Sequence, residues 1–230
     1  MDFRLIISFF TNTSPEKIGI YLIHLEKADE RIELINNLFS KLNLQPDFID
    51  GANGKEIVER GHPDTGILNN NIGNGAVGCT YSHIKMIRRA LEEGKEYAVI
   101  FEDDCIFKNT INDLTNAFIT LKQLIHSYNI KFDIFVLGAI GYTSHIPNPI
   151  GISTIYNIEG SHAILLNRKA MKSYIDEYTK SLSVGHVECA DAYYNILLNN
   201  NIKGIGFTDS KQFFEQKQEG LWSYVGDCLK

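Results

Sequence analysis

Three consecutive carboxylates, Glu102, Asp103 and Asp104, follow directly on the apolar run Tyr97 to Phe101. A short apolar run reads as a buried strand, and in open α/β sheets ligands collect at the carboxyl ends of strands. If the chain stays extended through the triplet, side chains two apart share a face, so Glu102 and Asp104 point one way and Asp103 the other. Two converging carboxylates repel each other unless a cation lies between them, and hard oxygen ligands suit Mn²⁺ or Mg²⁺. Such an ion takes its remaining ligands from water and substrate phosphates, which makes a diphosphate the expected guest. A solvated acidic turn that caps the following helix accounts for the triplet equally well at this point.

Other residues carry chemistry with a plainer reading beside it. On a helix beginning near Val77, Cys79, Ser82 and His83 lie on one face, as ligand contacts or as simple helix packing. Arg31 offers forked donors for a phosphate or pairs with its acidic neighbours Asp29 and Glu30. Asp50 and Asn53 flank glycine turns, where polar side chains reach a nucleoside or only shape the turn. Gly160-Ser161-His162-Ala163 joins an extended segment to an apolar one, as a sugar contact or a tight strand junction. Glu188 and Asp191, three apart on an expected helix, project into a common cleft or into solvent.

The elements that must hold these residues alternate. Ile18 to Leu25 reads as a strand, Ala28 to Leu42 as a helix, and Asp47 to Ile49 as a second strand. Gly54 to Gly75 is polar and rich in Gly and Asn, which predicts a long surface loop. Val77 to Glu93 has helical spacing and is closed by Gly94. Beyond the triplet follow a helix over 114–128, a strand over 133–137, a loop over 138–151, extended segments at 152–158 and 163–166, and helices over 168–178 and 189–198. This order implies one α/β domain over residues 1–230, with a largely parallel central sheet flanked by helices. Residues 1–16 would add an extra strand or a loose arm.

Composition narrows the function. With 230 residues and 44% apolar content the chain can bury a core without help. Its formal net charge of -6 gives no electrostatic footprint for nucleic acid. Cys79, Cys105, Cys189 and Cys228 are widely spaced and read as reduced thiols. The run Leu5 to Phe10 is shorter than a signal-peptide core, and no stretch approaches a membrane span, so a cytoplasmic protein is expected.

Several segments, in order, carry a resemblance: Ile20-Tyr21-Leu22-Ile23-His24-Leu25 with Asp29-Glu30-Arg31; Ile49-Asp50-Gly51-Ala52-Asn53-Gly54; Gly78-Cys79-Thr80-Tyr81-Ser82-His83; Val99-Ile100-Phe101-Glu102-Asp103-Asp104; and Gly160-Ser161-His162-Ala163. The chain resembles glycosyltransferase family 25, which includes lipooligosaccharide and collagen galactosyltransferases. The resemblance implies a GT-A type, Rossmann-like fold, a nucleotide-sugar donor such as UDP-galactose, a glycan or glycosylated protein as acceptor, and Mn²⁺ at the acidic motif. Asp104 and then Glu102 are the implied metal ligands. Leu25, Arg31, Asp50, Asn53, Ser82, His83, Glu102, Asp103, Ser161 and His162 are implied around the donor. An inverting transfer needs one base, for which Asp191 is favoured over Glu188. The family usually has an acid where this chain has Ala76, and its first strand usually runs into Asn-Leu-Asp where this chain has His24-Leu25-Glu26. A domain that keeps the fold and binds a nucleotide sugar or glycan without turnover is therefore the alternative.

Overall fold

The computed structural model describes residues 2–25, 29–61, 72–145, 151–207 and 213–217. The chain opens on α1 (Phe3–Thr11), followed by β1 (Ile18–His24), α2 (Ile32–Lys41), β2 (Asp47–Asp50), α3 (Gly54–Arg60) and α4 (Asn74–Glu92). Next come β3 (Tyr97–Glu102), β4 (Cys105–Phe107), α5 (Ile111–Ser127), β5 (Ile134–Gly138), β6 (Gly141–His145), β7 (Ile152–Glu159) and β8 (Ala163–Asn167). The described chain closes with α6 (Arg168–Ser183), α7 (Ala190–Asn199), β9 (Gly204–Phe207) and β10 (Phe214–Gln216). Eight strands form one sheet in the order β2-β1-β3-β8-β5-β9-β7-β6. Within it β8 and β7 run against the other six, so the sheet is largely parallel in direction, as the alternation of elements implied. β4 and β10 form a separate antiparallel ribbon.

Strand residues alternate between two cores because successive side chains leave opposite faces of a pleated sheet. Ile18, Ile20, Leu22, Val99, Phe101, Phe135 and Leu165 meet α1, α2 and α5 on one face. Tyr21, Ala98, Ile100, Ile134, Val136, Ile164 and Leu166 meet α4, α6 and α7 on the other. The first layer is built from phenylalanine. Phe10 packs within 5.5 Å of Phe118, Phe132 and Phe135, and Phe214 lies 5.3 Å from Phe101 and 5.1 Å from Phe107.

Several expectations are corrected. Residues 3–11 are neither a strand nor a loose arm. Asp2 caps a helix by accepting from Leu5 N at 2.8 Å, and Phe3, Ile6, Ile7 and Phe10 bury one helical face. Within the expected loop after residue 54, Asn53 caps α3 by accepting from Lys55 N and Glu56 N. Of the expected loop over 138–151, residues 141–145 form β6, paired with β7. Residues 62–71 of the expected loop over 54–75, and Cys228, lie outside the described residues. Among the described residues no helix is long and apolar enough to cross a membrane.

Candidate active site

A cavity of about 540 Å³ opens at the carboxyl ends of β1, β2 and β3, the edge where a largely parallel sheet leaves its loops free to contact a ligand. Its wall includes the first residues of three helices: Gly54 and Lys55 of α3, Asn74 to Ala76 of α4, and Ala190 with Asp191 of α7. Helix amino ends present N–H groups without intrahelical partners and a positive dipole end, which suits an anionic guest. The first turn of α4 contains no acid to neutralise that end.

Two glycines bring α3 and α4 together. A Cβ at Gly54 would lie 1.6 Å from Asn74 O, and one at Gly78 would lie 2.5 Å from Ala52 O and 2.8 Å from Gly54 N. Ser82 ties the same junction, donating to Gly78 O at 2.7 Å and accepting from Ala52 N at 2.8 Å. Backbone therefore meets backbone here, and the amino end of α4 is held beside the loop after β2.

The acidic triplet lies in the cavity wall and points three ways. Glu102 ends β3, but Asp103 and Asp104 form a turn before β4, so the extended alternation expected of them does not hold. Glu102 Oε1 lies 3.3 Å from His83 Nε2 and accepts weakly from Cys79 Sγ at 3.9 Å. Burial opposes ionisation of Glu102, but the His83 hydrogen bond and charge hold its carboxyl below the usual range. Asp103 is buried between Arg31, whose Nη1 donates to Oδ1, and His24, whose Nδ1 lies 2.9 Å from Oδ2. Asp104 Oδ2 accepts from Gln216 Nε2 at 3.0 Å and lies 3.5 Å from Arg31 Nη1. Its Oδ1 is buried with no hydrogen-bond partner among the described residues. Burial, and then the charge of Glu102, push the Asp104 carboxyl up to about 7.

The remaining candidates divide. Leu25, Arg31, Asn53, Ser82, Ser161 and Asp191 line the cavity. His83 sits fully buried behind Glu102, with Nδ1 2.9 Å from the Tyr194 hydroxyl. His162 is buried between Gly160 O at 3.1 Å and Phe214 O at 3.2 Å, and burial pulls its imidazole below the usual value. Asp50 is exposed and not part of the wall; its main-chain oxygen accepts from Lys85 Nζ at 2.7 Å and its carboxylate lies 3.9 Å from the same ammonium. Asp191 accepts from Gly160 N at 2.7 Å, Ser161 N at 3.2 Å and Ser161 Oγ at 2.6 Å, fixing the turn that feeds β8. Glu188 does not share a helix with it, because α7 begins at Ala190; its carboxylate meets His186 Nε2 at 2.7 Å, away from the wall. His24 and Gln216 are the residues the sequence reading missed. His24 had a signal, since it ends the strand beside the acidic one. Gln216 had none, being 112 residues from the aspartate it touches.

Comparisons with known proteins place the chain. The profile of glycosyltransferase family 25 (LPS biosynthesis protein) matches residues 17–197. No match was found among curated proteins. Two similar solved structures are a glycosyltransferase involved in glycosylating the major capsid of PBCV-1 and a putative glucose-1-phosphate thymidylyltransferase of Bacillus anthracis. The first is 11% identical, with a TM-score of 0.45, 91% of this chain covered and 96% of the other. The second is 13% identical, with a TM-score of 0.45 and coverage of 83% and 87%. The profile match runs from just before β1 into α7 and takes in every segment of the cavity wall except Gln216, and on that extent the chain belongs to glycosyltransferase family 25.

Proposed function

We propose that this protein is an inverting, metal-dependent transferase that moves a hexose, galactose from UDP-galactose, onto a hydroxyl of a saccharide or protein-linked glycan. The observation that carries the metal dependence is Asp104 Oδ1, a buried acceptor in the wall of the cavity without a partner among the described residues. A buried carboxylate oxygen left unpaired is costly, and a cation is the partner that relieves it. The donor set of Asp104 and Glu102 fits a hard ion, because both offer carboxylate oxygens. Mn²⁺ or Mg²⁺ held there would neutralise charge on a departing nucleoside diphosphate.

The chain's own groups do the rest. The amino end of α4 receives the diphosphate, with Ala76 leaving its positive dipole end free of a carboxylate and open to it. Asp103, fixed by His24, holds the Arg31 guanidinium beside Asp104, so a fixed positive charge stands at the edge of the phosphate region. Asp191 Oδ1 accepts two bonds and Oδ2 one, which leaves Oδ2 a lone pair for the proton of the acceptor hydroxyl. Glu188 drops out of this role because its carboxylate faces His186.

Incubation with Mn²⁺ and a panel of nucleotide sugars, with and without oligosaccharide acceptors, tests the reading. UDP release from UDP-galactose, abolished by chelation, is expected, with a β-linkage in the product by NMR. No nucleoside diphosphate from any donor would overturn the transferase reading and favour a domain that binds without turnover.

A further inference from the structure

At the cavity wall and directly behind it lie three groups whose chemistry differs from that of the hard-cation site. Among the described residues, Cys79, His83 and Glu102 each offer one ligand atom, and these atoms all lie within 4.8 Å of one another. Glu102 Oε1 is 3.3 Å from His83 Nε2 and 3.9 Å from Cys79 Sγ. Bonds of roughly 2.0 to 2.3 Å at tetrahedral angles would place neighbouring ligand atoms about 3.3 to 3.6 Å apart, so a small inward movement of Cys79 completes three corners. One turn of α4 carries both Cys79 and His83 on the same face, and the end of β3 supplies the carboxylate.

From this geometry we infer that Cys79, His83 and Glu102 form a binding site for a thiophilic divalent cation of the zinc class, open to the cavity at its fourth position. A thiolate, an imidazole and a carboxylate are the ligand types zinc takes, whereas Mn²⁺ and Mg²⁺ disfavour sulfur. Tyr194 supports the imidazole from behind: its hydroxyl lies 2.9 Å from His83 Nδ1 and accepts the ring proton there when Nε2 turns its lone pair to the ion. Cys79 and Glu102 line the cavity, so the ion has an entry path. Binding forms the metal–sulfur bond and releases the Cys79 thiol proton to solvent. With the imidazole neutral, the ring proton moves from Nε2 to Nδ1 and one proton leaves per ion. Glu102 then belongs to two competing ions, and occupancy by zinc withdraws it from the neighbouring hard-cation site.

The experiment is titration of the full-length protein with Co²⁺ as a spectroscopic stand-in, in oxygen-free buffer, followed by displacement with Zn²⁺. A saturable near-ultraviolet thiolate-to-cobalt band at one equivalent, bleached by one equivalent of Zn²⁺, is expected. Cys79→Ala should abolish the band, and His83→Gln should weaken the affinity by about tenfold or more. Near-ultraviolet circular dichroism reports whether each variant is folded, and Glu102→Gln, expected to weaken binding likewise, serves if Cys79→Ala is not. A wild-type protein with no thiolate band and no saturable zinc binding overturns the site. So does a band that survives Cys79→Ala, which would move it to Cys105, Cys189 or Cys228. Metal binding, not turnover, is the readout, so the site and the transferase reading can fail separately.

Discussion

Replacing Asp104 with Asn should make the metal-free protein more stable at alkaline pH than at acidic pH relative to wild type. The carboxyl is pushed up from 3.8 to about 7, chiefly by burial, so folding disfavours its ionised form. The sign follows from linkage. Between these values the folded chain holds a proton that the unfolded chain has lost, so this group's penalty grows as pH rises from about 4 to about 7 and then levels off. At about 1.4 kcal/mol per pH interval, the penalty is roughly 2 kcal/mol at pH 5 and roughly 4 kcal/mol at pH 8. Asn removes this pH-dependent term. It keeps an acceptor for Gln216 but buries an amide where Oδ1 has no partner among the described residues, a cost of about 1 to 3 kcal/mol that does not depend on pH. The difference between the two pH values is therefore the informative quantity, about 2 to 3 kcal/mol in favour of the variant at pH 8. Urea unfolding of both proteins in chelator at pH 5 and pH 8 measures it. A variant-minus-wild-type difference that is flat with pH, or that falls at pH 8, refutes the idea that Asp104 ionises against an uncompensated burial cost.

In wild type, saturating Mn²⁺ should raise the Tm by several degrees at pH 8, and Asp104→Ala should remove most of that shift; an equal shift in both proteins would place the ion elsewhere. Gly78→Ala should cost about 1 to 3 kcal/mol in urea unfolding, because its Cβ would lie 2.5 Å from Ala52 O in the backbone junction of α3 and α4. Asp191→Asn should lower turnover by about 10²-fold or more while leaving the Kd for the donor nucleotide near the wild-type value, and unchanged turnover would eliminate Asp191 as the base. Phe10→Ala should lose about 3 to 5 kcal/mol, reported by the urea midpoint, since its ring joins α1 to Phe118, Phe132 and Phe135.

The parts of the fold legible in sequence were those with strong local periodicity. β1, β3 and α4 announce themselves because their apolar positions recur at the spacing of the element they form, and Gly94, at φ +70°, ends α4 where a left-handed residue is needed. The periodicity of α1 was equally present in Phe3, Ile6, Ile7 and Phe10, but a run of aromatic and β-branched residues also suits a strand, and the Asp2 cap was the deciding signal. α3 was hidden by glycine and asparagine, which are turn formers by themselves; here one caps the helix and the other is demanded by the close approach of α4. In the site, the triplet's position at a strand end was readable because it depends on neighbours in sequence. Its three-way division was not, because it is set by Arg31, His83 and Gln216, which arrive from three other segments.

The β4–β10 ribbon gives the assembly of this site an order in time. During synthesis Asp104 leaves the ribosome long before Gln216, and the strand that brings Gln216 also delivers Phe214 against Phe3, Phe101 and Phe107. Until that strand docks, the acidic turn lacks its amide donor and the phenylalanine layer lacks a ring. A nascent chain interrupted after α7 would contain all of the family's matching region yet lack the amide donor to Asp104. One strand, β10, therefore supplies both the amide that Asp104 accepts from and a ring of the phenylalanine layer.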